Sequence, residues 1–207
     1  MTTAAHTYAS DVAFSPAVKA IQARKGSREA YAQSEQRGWR IEVDDNLAAF
    51  LADASSFYFA TASADGQPYI QHRGGPKGFL KVLDKQTLAF ADYAGNQQFI
   101  TQGNLSENPK AYIFVMDYAH RRRVKIWGEA RIVEDDEALT TSLMPKGYRA
   151  RPEQVILFKI AAWDTNCPQH IPQKFDAGDV AAALAVRDQR IAELEAEVAE
   201  LREKAAT

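Results

Sequence analysis

Between residues 57 and 163 the chain runs through short aromatic or β-branched stretches, and most are joined without room for a helical crossover. "FYFATAS" is followed by the turn "ADGQ", then "PYIQHR", "TLAFADY", "AYIFVMD", "VKIWGEARIV" and "VILFKIAAW". Parallel strands need a connection of about a dozen residues or more, usually a helix. This spacing therefore predicts a mainly antiparallel sheet of six strands, closed as a small barrel or stacked as a sandwich. Asp65-Gly66 supplies the first hairpin turn. "GNQQFITQGNLSENP" interrupts the strands as a short helix or an ordered loop, ended by Asn108-Pro109.

The flanks have other textures. Residues 1–56 read as a helical segment: Ser15-Pro16 opens a helix that stops at Gly26, Ser27 starts a second that stops at Gly38, and Asp44 or Asp45 caps a third carrying Leu47, Phe50, Leu51 and Ala54 on one face. Residues 57–175 hold the strands and a side-chain-rich tail. In residues 176–207, Leu184, Ile191 and Val198 recur every seventh position, as do Leu194 and Leu201, while Arg187 interrupts the stripe. Such a helix either docks on its own domain or pairs between subunits as a coiled coil.

Composition narrows the partners. With 46% hydrophobic residues, 25% charged residues and a net charge of −2, no global field favours nucleic acid or a membrane surface. No apolar run approaches the ~20 residues of a membrane span, and the N-terminal stretch lacks the basic and apolar regions of a signal peptide. A single cysteine, Cys167, cannot close an internal disulfide, which fits a reducing cytoplasm.

Four segments could carry chemistry. "QHRGGPKGF" follows a strand and surrounds Gly74, Gly75 and Gly78 with Arg73 and Lys77. Glycines admit close backbone approach, and successive N–H groups can cradle an anion. A wide hairpin turn is the competing reading, and neither nucleotide-loop spacing is present. "DYAGNQQFITQGNL" offers Asn96, Gln97, Gln98 and Thr101, neutral groups suited to a heteroaromatic edge or a phosphate oxygen, or to helix capping. "RRRVKIWGEA" alternates so that Arg123, Lys125 and Trp127 share a face. In "WDTNCPQHIPQKF", Cys167 and His170 lack the further ligands that a metal site would require, and no metal is expected.

In this order, these segments resemble the pyridoxamine 5'-phosphate oxidase-like proteins, the FMN-binding split-barrel family, over roughly residues 15–175. The resemblance implies an antiparallel six-stranded split β-barrel with N-terminal helices and a C-terminal heptad helix. It further implies FMN as cofactor and a homodimer with FMN at the subunit interface. By position, Gln71, His72, Arg73 and Gly74 fall on the strand and loop that serve the flavin, Asn96, Gln97 and Gln98 at its phosphate end, Arg123 and Lys125 near the ring, and His170 in a covering tail. The oxidases carry an Arg-Lys pair where Asn96 and Gln97 stand, so Arg73 or Arg123 would have to supply the missing charge. The oxidases' substrate-reading C-terminal segment is replaced here by "NCPQHIPQKF" and the heptads, which argues against vitamin B6 as substrate.

The implied function is an FMN-dependent oxidoreductase acting on a small-molecule substrate or electron donor. The ring performs the hydride chemistry and the protein positions it. A non-catalytic holder of flavin, deazaflavin or haem is the alternative. A pure assembly protein acting through its heptads ranks behind both, because it leaves the glycine loop unexplained.

Overall fold

The computed structural model describes residues 8–165 and 168–206. They fall into two compact units, one holding the sheet and the other holding residues 118–122 and the C-terminal segment.

The first unit is built on one antiparallel sheet. Its strands are β1 (Ser56–Ala62), β2 (Pro68–Gly74), β3 (Lys81–Val82), β4 (Thr87–Tyr93), β5 (Lys110–Asp117), β6 (Arg122–Val133) and β7 (Pro152–Thr165). Their order is β2-β1-β5-β6-β7-β4-β3. All six expected strands form. The seventh, β3, is a two-residue strand at the edge, too short to leave a periodic signal. The hydrogen-bonded sheet is not closed, with β2 and β3 as its two ends, which is consistent with the expected split barrel; the strand count is corrected from six to seven.

Burial alternates along β1, β2, β5 and β6, as a half-covered sheet requires, whereas the centre of β4 is buried on both faces. Phe57 and Phe59 of β1, Ile113 and Val115 of β5, and Val124 and Ile126 of β6 are buried on one face. They join Phe90, Phe158 and Trp163 in a single core cluster. Phe57 stacks on Phe79 and meets Phe90 edge-on, which fixes the loop after β2 against the core. Helix α3 (Asp45–Asp53) covers this core with Leu47 and Leu51, and Asp44 caps it by accepting from the Leu47 N–H at 2.8 Å. At Gly128, β6 and β7 shift register, and an added Cβ would lie 2.1 Å from the Lys159 carbonyl oxygen. Only glycine lets the two strands approach so closely there.

Helices α1 (Pro16–Lys25) and α2 (Arg28–Arg37) start and stop where their Ser-Pro and glycine signals indicate. They are joined by buried Glu35, which pairs with Arg28 and with Lys19 at 3.1 Å. Burial pushes the Glu35 carboxyl up, but its bonds from Arg28 and Lys19 outweigh that and hold it below the ordinary value. The interrupting stretch contains α4 (Ile100–Glu107), which ends at Asn108 before Pro109. An unanticipated helix, α5 (Glu137–Leu143), is capped by Asp136 and buries Leu143 against Ala89, Ala91 and Val155.

In the second unit, the Gln173 amide donates to the Ala119 carbonyl at 2.7 Å, and Lys174 lies over the Tyr118 ring. Helix α6 (Ala177–Ala205) spans the heptads, and none of its residues is buried. No helix among the described residues is long and apolar enough to cross a membrane.

Candidate functional site

Register decides which β2 side chains work together. Arg73 stands opposite Phe57, Gln71 opposite Phe59 and Tyr69 opposite Thr61, while His72 stands opposite Tyr58. Directly paired residues point to the same face. Tyr69, Gln71 and Arg73 therefore follow the core face of β1, and His72 lies on the other, edge-on to Tyr58. A pocket opens beyond Gln71 and Arg73, closed by residues 95–102 after β4 and by Asp92, Tyr93 and Gln154.

The loop that closes it has an unusual backbone. Gln97 and Phe99 both sit at positive φ, at 57° and 53°, a conformation that non-glycine residues rarely adopt. Asn96 stabilises the bend by accepting from the Gln98 N–H at 3.2 Å. Phe99 is also the N-cap of α4 and supplies no side-chain acceptor. The first turn of α4 thus points uncapped N–H groups and the positive end of its dipole at the pocket. Within that turn, the Thr101 hydroxyl donates to the Gln71 side-chain carbonyl at 3.2 Å, leaving the Gln71 NH2 as its available end.

Arg73 is the pocket's cation, and it is not unopposed. Its guanidinium pairs with Asp92, and both side chains are nearly buried. Gln154, opposite Asp92 in the β4–β7 ladder, donates to the second carboxylate oxygen at 2.9 Å. Glu153, a second carboxylate in the lining, pairs with Arg151 at 3.3 Å. Arg73 therefore does not supply a surplus positive charge, which corrects the expectation drawn from the loss of the Arg-Lys pair. Two buried donors of the pocket, the Arg73 Nε and the Tyr93 hydroxyl, nevertheless lack partners among the described residues. Burial, with Tyr148 beside it, raises Tyr93 above the ordinary phenol value, so it is a proton donor at neutral pH.

The glycine loop serves a different purpose. The Gly75 N–H donates to Ser55 O and the Gly78 N–H to Ala54 O, both at 3.0 Å, which engages the donors an anion would need. A Cβ on Gly75 would stand 2.8 Å from Phe79 Cγ, and one on Gly78 would stand 3.0 Å from the Ala52 carbonyl oxygen. Lys77 pairs with exposed Asp53 at 2.7 Å. These glycines let the loop close onto the end of α3. Gly74 lies outside the pocket lining, near the His72 ring.

Arg123 and Lys125 share a face with Trp127, as alternation requires, and that face is not the pocket's. Lys125 pairs with Asp164 at 2.9 Å and lies beside the Trp39 and Trp127 rings, which contact each other. Arg123 has a buried Nε without a partner. Burial pushes the Tyr112 hydroxyl up to about 12, with Arg123 opposing and Asp164 assisting. Beside this group a largely apolar cavity of about 630 Å³ is lined by Tyr8, Val12, Ala60, Tyr112, Trp127 and Ile160, among others. The structure thus brings together Gln71, Arg73, Asn96, Gln97 and Gln98, and leaves His72, Arg123 and Lys125 on another face. His170 belongs to the second unit, exposed and at φ 64°. Cys167 lies outside the described residues. Asp92, Tyr93, Tyr69 and Gln154 are pocket residues that sequence reasoning did not single out.

An open antiparallel sheet with a polar pocket at the β2 edge, rimmed by a helix N-terminus, defines the class. The chain belongs to the pyridoxamine 5'-phosphate oxidase family, whose model matches residues 43–167. Among solved structures, HupZ of Group A Streptococcus is similar over 64% of this chain and 99% of its own, with 17% identity and a TM-score of 0.50. An FMN-binding protein from Syntrophomonas wolfei aligns over 70% of this chain and 97% of its own at 11% identity and a TM-score of 0.47. A Clostridium acetobutylicum protein related to general stress protein 26 aligns over 67% and 99% at 12% identity and a TM-score of 0.44. No curated protein matches significantly.

Proposed function

We propose that the pocket between β2 and α4 seats the phosphate end of FMN, and that the protein is a flavin-dependent oxidoreductase working as a homodimer with FMN at the subunit interface. The observation that carries this reading is the buried Arg73 Nε, a donor without a partner beside the uncapped start of α4. A buried donor left unpaired costs about 1–3 kcal/mol, and a phosphate oxygen would satisfy it. The residues present fit such a group through dipoles more than through net charge. The α4 N–H groups, the Gln71 amide and the Tyr93 hydroxyl supply donors, while Asp92 holds Arg73 in place and offsets its charge.

Bound FMN would supply the two-electron chemistry. The chain's own part is to fix the phosphate end, so that the ring is held in one position, and to keep water from the apolar surfaces around it. Pyridoxamine phosphate is not the proposed substrate. From the end of the matched region onward the chain departs from what the resemblance to the oxidases implies, with "PQHIPQKF" and the heptads in place of their C-terminal segment.

The test is an absorption spectrum of the purified protein, followed by mass spectrometry of whatever is released on denaturation. A yellow protein that releases FMN is the expected result. A colourless protein that also fails to take up added FMN overturns the reading, and deazaflavin and haem would be titrated next.

A further inference from the structure

Helix α6 is an amphipathic helix whose apolar stripe meets no partner among the described residues. Val180, Leu184, Ile191, Leu194, Val198 and Leu201 are all 42–58% exposed. The helix runs 29 residues, about 43 Å at 1.5 Å per residue. A helix of this kind owes its stability mainly to packing of its apolar face rather than to propensity. The stripe has the form of a coiled-coil seam. Leu184, Ile191 and Val198 occupy the first core position of successive heptads, and Val180, Leu194 and Leu201 occupy the second, with Arg187 in that series. Two β-branched residues at the first position with leucines at the second favour two strands.

The flanking charges specify which two strands. In a parallel pair, each residue just before a core layer faces the residue five positions later on the other helix. That rule sets Arg190 against position 195, a glutamate, and Glu197 against position 202, an arginine. Both pairs are attractive and, by symmetry, each occurs twice. A slip of one heptad would oppose Arg190 to Arg202 and Glu197 to Glu195. Reversing one helix over the same core would keep one attractive pair, Arg190 with Glu197, but oppose Asp188 to Glu195, whereas the parallel register has attractive pairs only. Within one chain Arg190 pairs with Glu193 at 2.9 Å, both of them exposed, so it can reach across without breaking a buried contact.

We propose that α6 binds α6 of a second copy of this chain as a parallel, in-register two-stranded coiled coil, with Arg190 paired to Glu195 of the partner subunit and Glu197 paired to Arg202 of the partner subunit. The pair closes about a two-fold axis along the coil, so assembly stops at two. Arg187 keeps its stem on the seam and carries its guanidinium to water, marking one layer as polar. This pairing stands independently of whether the pocket takes FMN.

Oxidative crosslinking of the full chain tests it. In a Cys167→Ser background, Ala205→Cys places a thiol at a core position without loss of core volume, and Glu203→Cys places one on the outer face. Near-complete disulfide dimer at 205 with little at 203 is the expected result. Equal crosslinking at both, or none at either, overturns the coil. Crosslinking between Ala205→Cys and Val180→Cys chains in a mixture would show the antiparallel arrangement and overturn the orientation. Adding Arg190→Glu and Arg202→Glu to the Ala205→Cys chain should abolish its dimer. Mixing that chain with an Ala205→Cys chain carrying Glu195→Arg and Glu197→Arg should restore it. Crosslinking that ignores both changes overturns the assigned pairs.

Discussion

Two loops follow two strands of this sheet, and both carry glycine among polar residues, yet they do opposite things. The loop after β2 directs its N–H groups at the carbonyls of residues 54 and 55 and its glycines at Phe79 and Ala52. The loop after β4 holds Gln97 and Phe99 at positive φ and leads into a helix start with no side-chain cap. The first is a packing device, and the second leaves its donors facing the pocket proposed to seat FMN. Glycine and a nearby cation do not by themselves make an anion site; unsatisfied donors aimed at a common point do.

Substitutions can sharpen or break that contrast. Arg73→Ala should have the largest effect, because it leaves buried Asp92 without its cation at a cost of about 3 kcal/mol and lowers FMN affinity by roughly tenfold or more. The Arg73→Ala, Asp92→Asn double variant separates the two effects: melting should recover, while FMN affinity should stay roughly tenfold below that of Asp92→Asn alone. A double variant that binds FMN as tightly as Asp92→Asn would leave Arg73 with no part in the site. Gly75→Ala should cost about 1–3 kcal/mol by driving a methyl into the Phe79 ring, while the folded fraction binds FMN as before. A matching loss of affinity would mean the two loops share one function. Asp92→Asn alone should raise FMN affinity by roughly three- to tenfold, since it removes a carboxylate from the phosphate seat, and should enlarge the melting shift that FMN produces. Unchanged affinity would place the phosphate elsewhere. Lys77→Ala should move stability by under about 1 kcal/mol, as an exposed ion pair does, and leave the flavin titration unaltered.

Much of this was legible in the sequence, for stated reasons. The six long strands announce themselves as aromatic and β-branched runs between turn signals, and the caps at Ser15, Gly26, Gly38 and Asp44 fall where helices α1, α2 and α3 begin or end. The β3 strand was not legible because two residues carry no period. The site was legible in part. Alternation alone separates Gln71 and Arg73 from His72, whereas positional resemblance places all three together. The pairing of Arg73 with Asp92, and of Asp92 with Gln154, joins residues 19 and 62 positions apart. Such contacts depend on strand order, which no local pattern encodes. The role of the glycine loop was not legible for a physical reason: its donors go to the carbonyls of Ala54 and Ser55 just past α3, a contact visible only once the loop and helix are placed.

The strand order also sets a timetable for the chain as it is made. Strand β4 pairs with β7, matching Thr87 with Lys159 and Leu88 with Phe158. At a synthesis rate of roughly 5–20 residues per second, about 4–14 s separate the appearance of those paired residues. During that interval one flank of β4, with Leu88 and Phe90 among its residues, has only the two-residue β3 on its other side. The nascent protein therefore passes through a stage in which an apolar strand edge is open to chaperones and neighbouring chains.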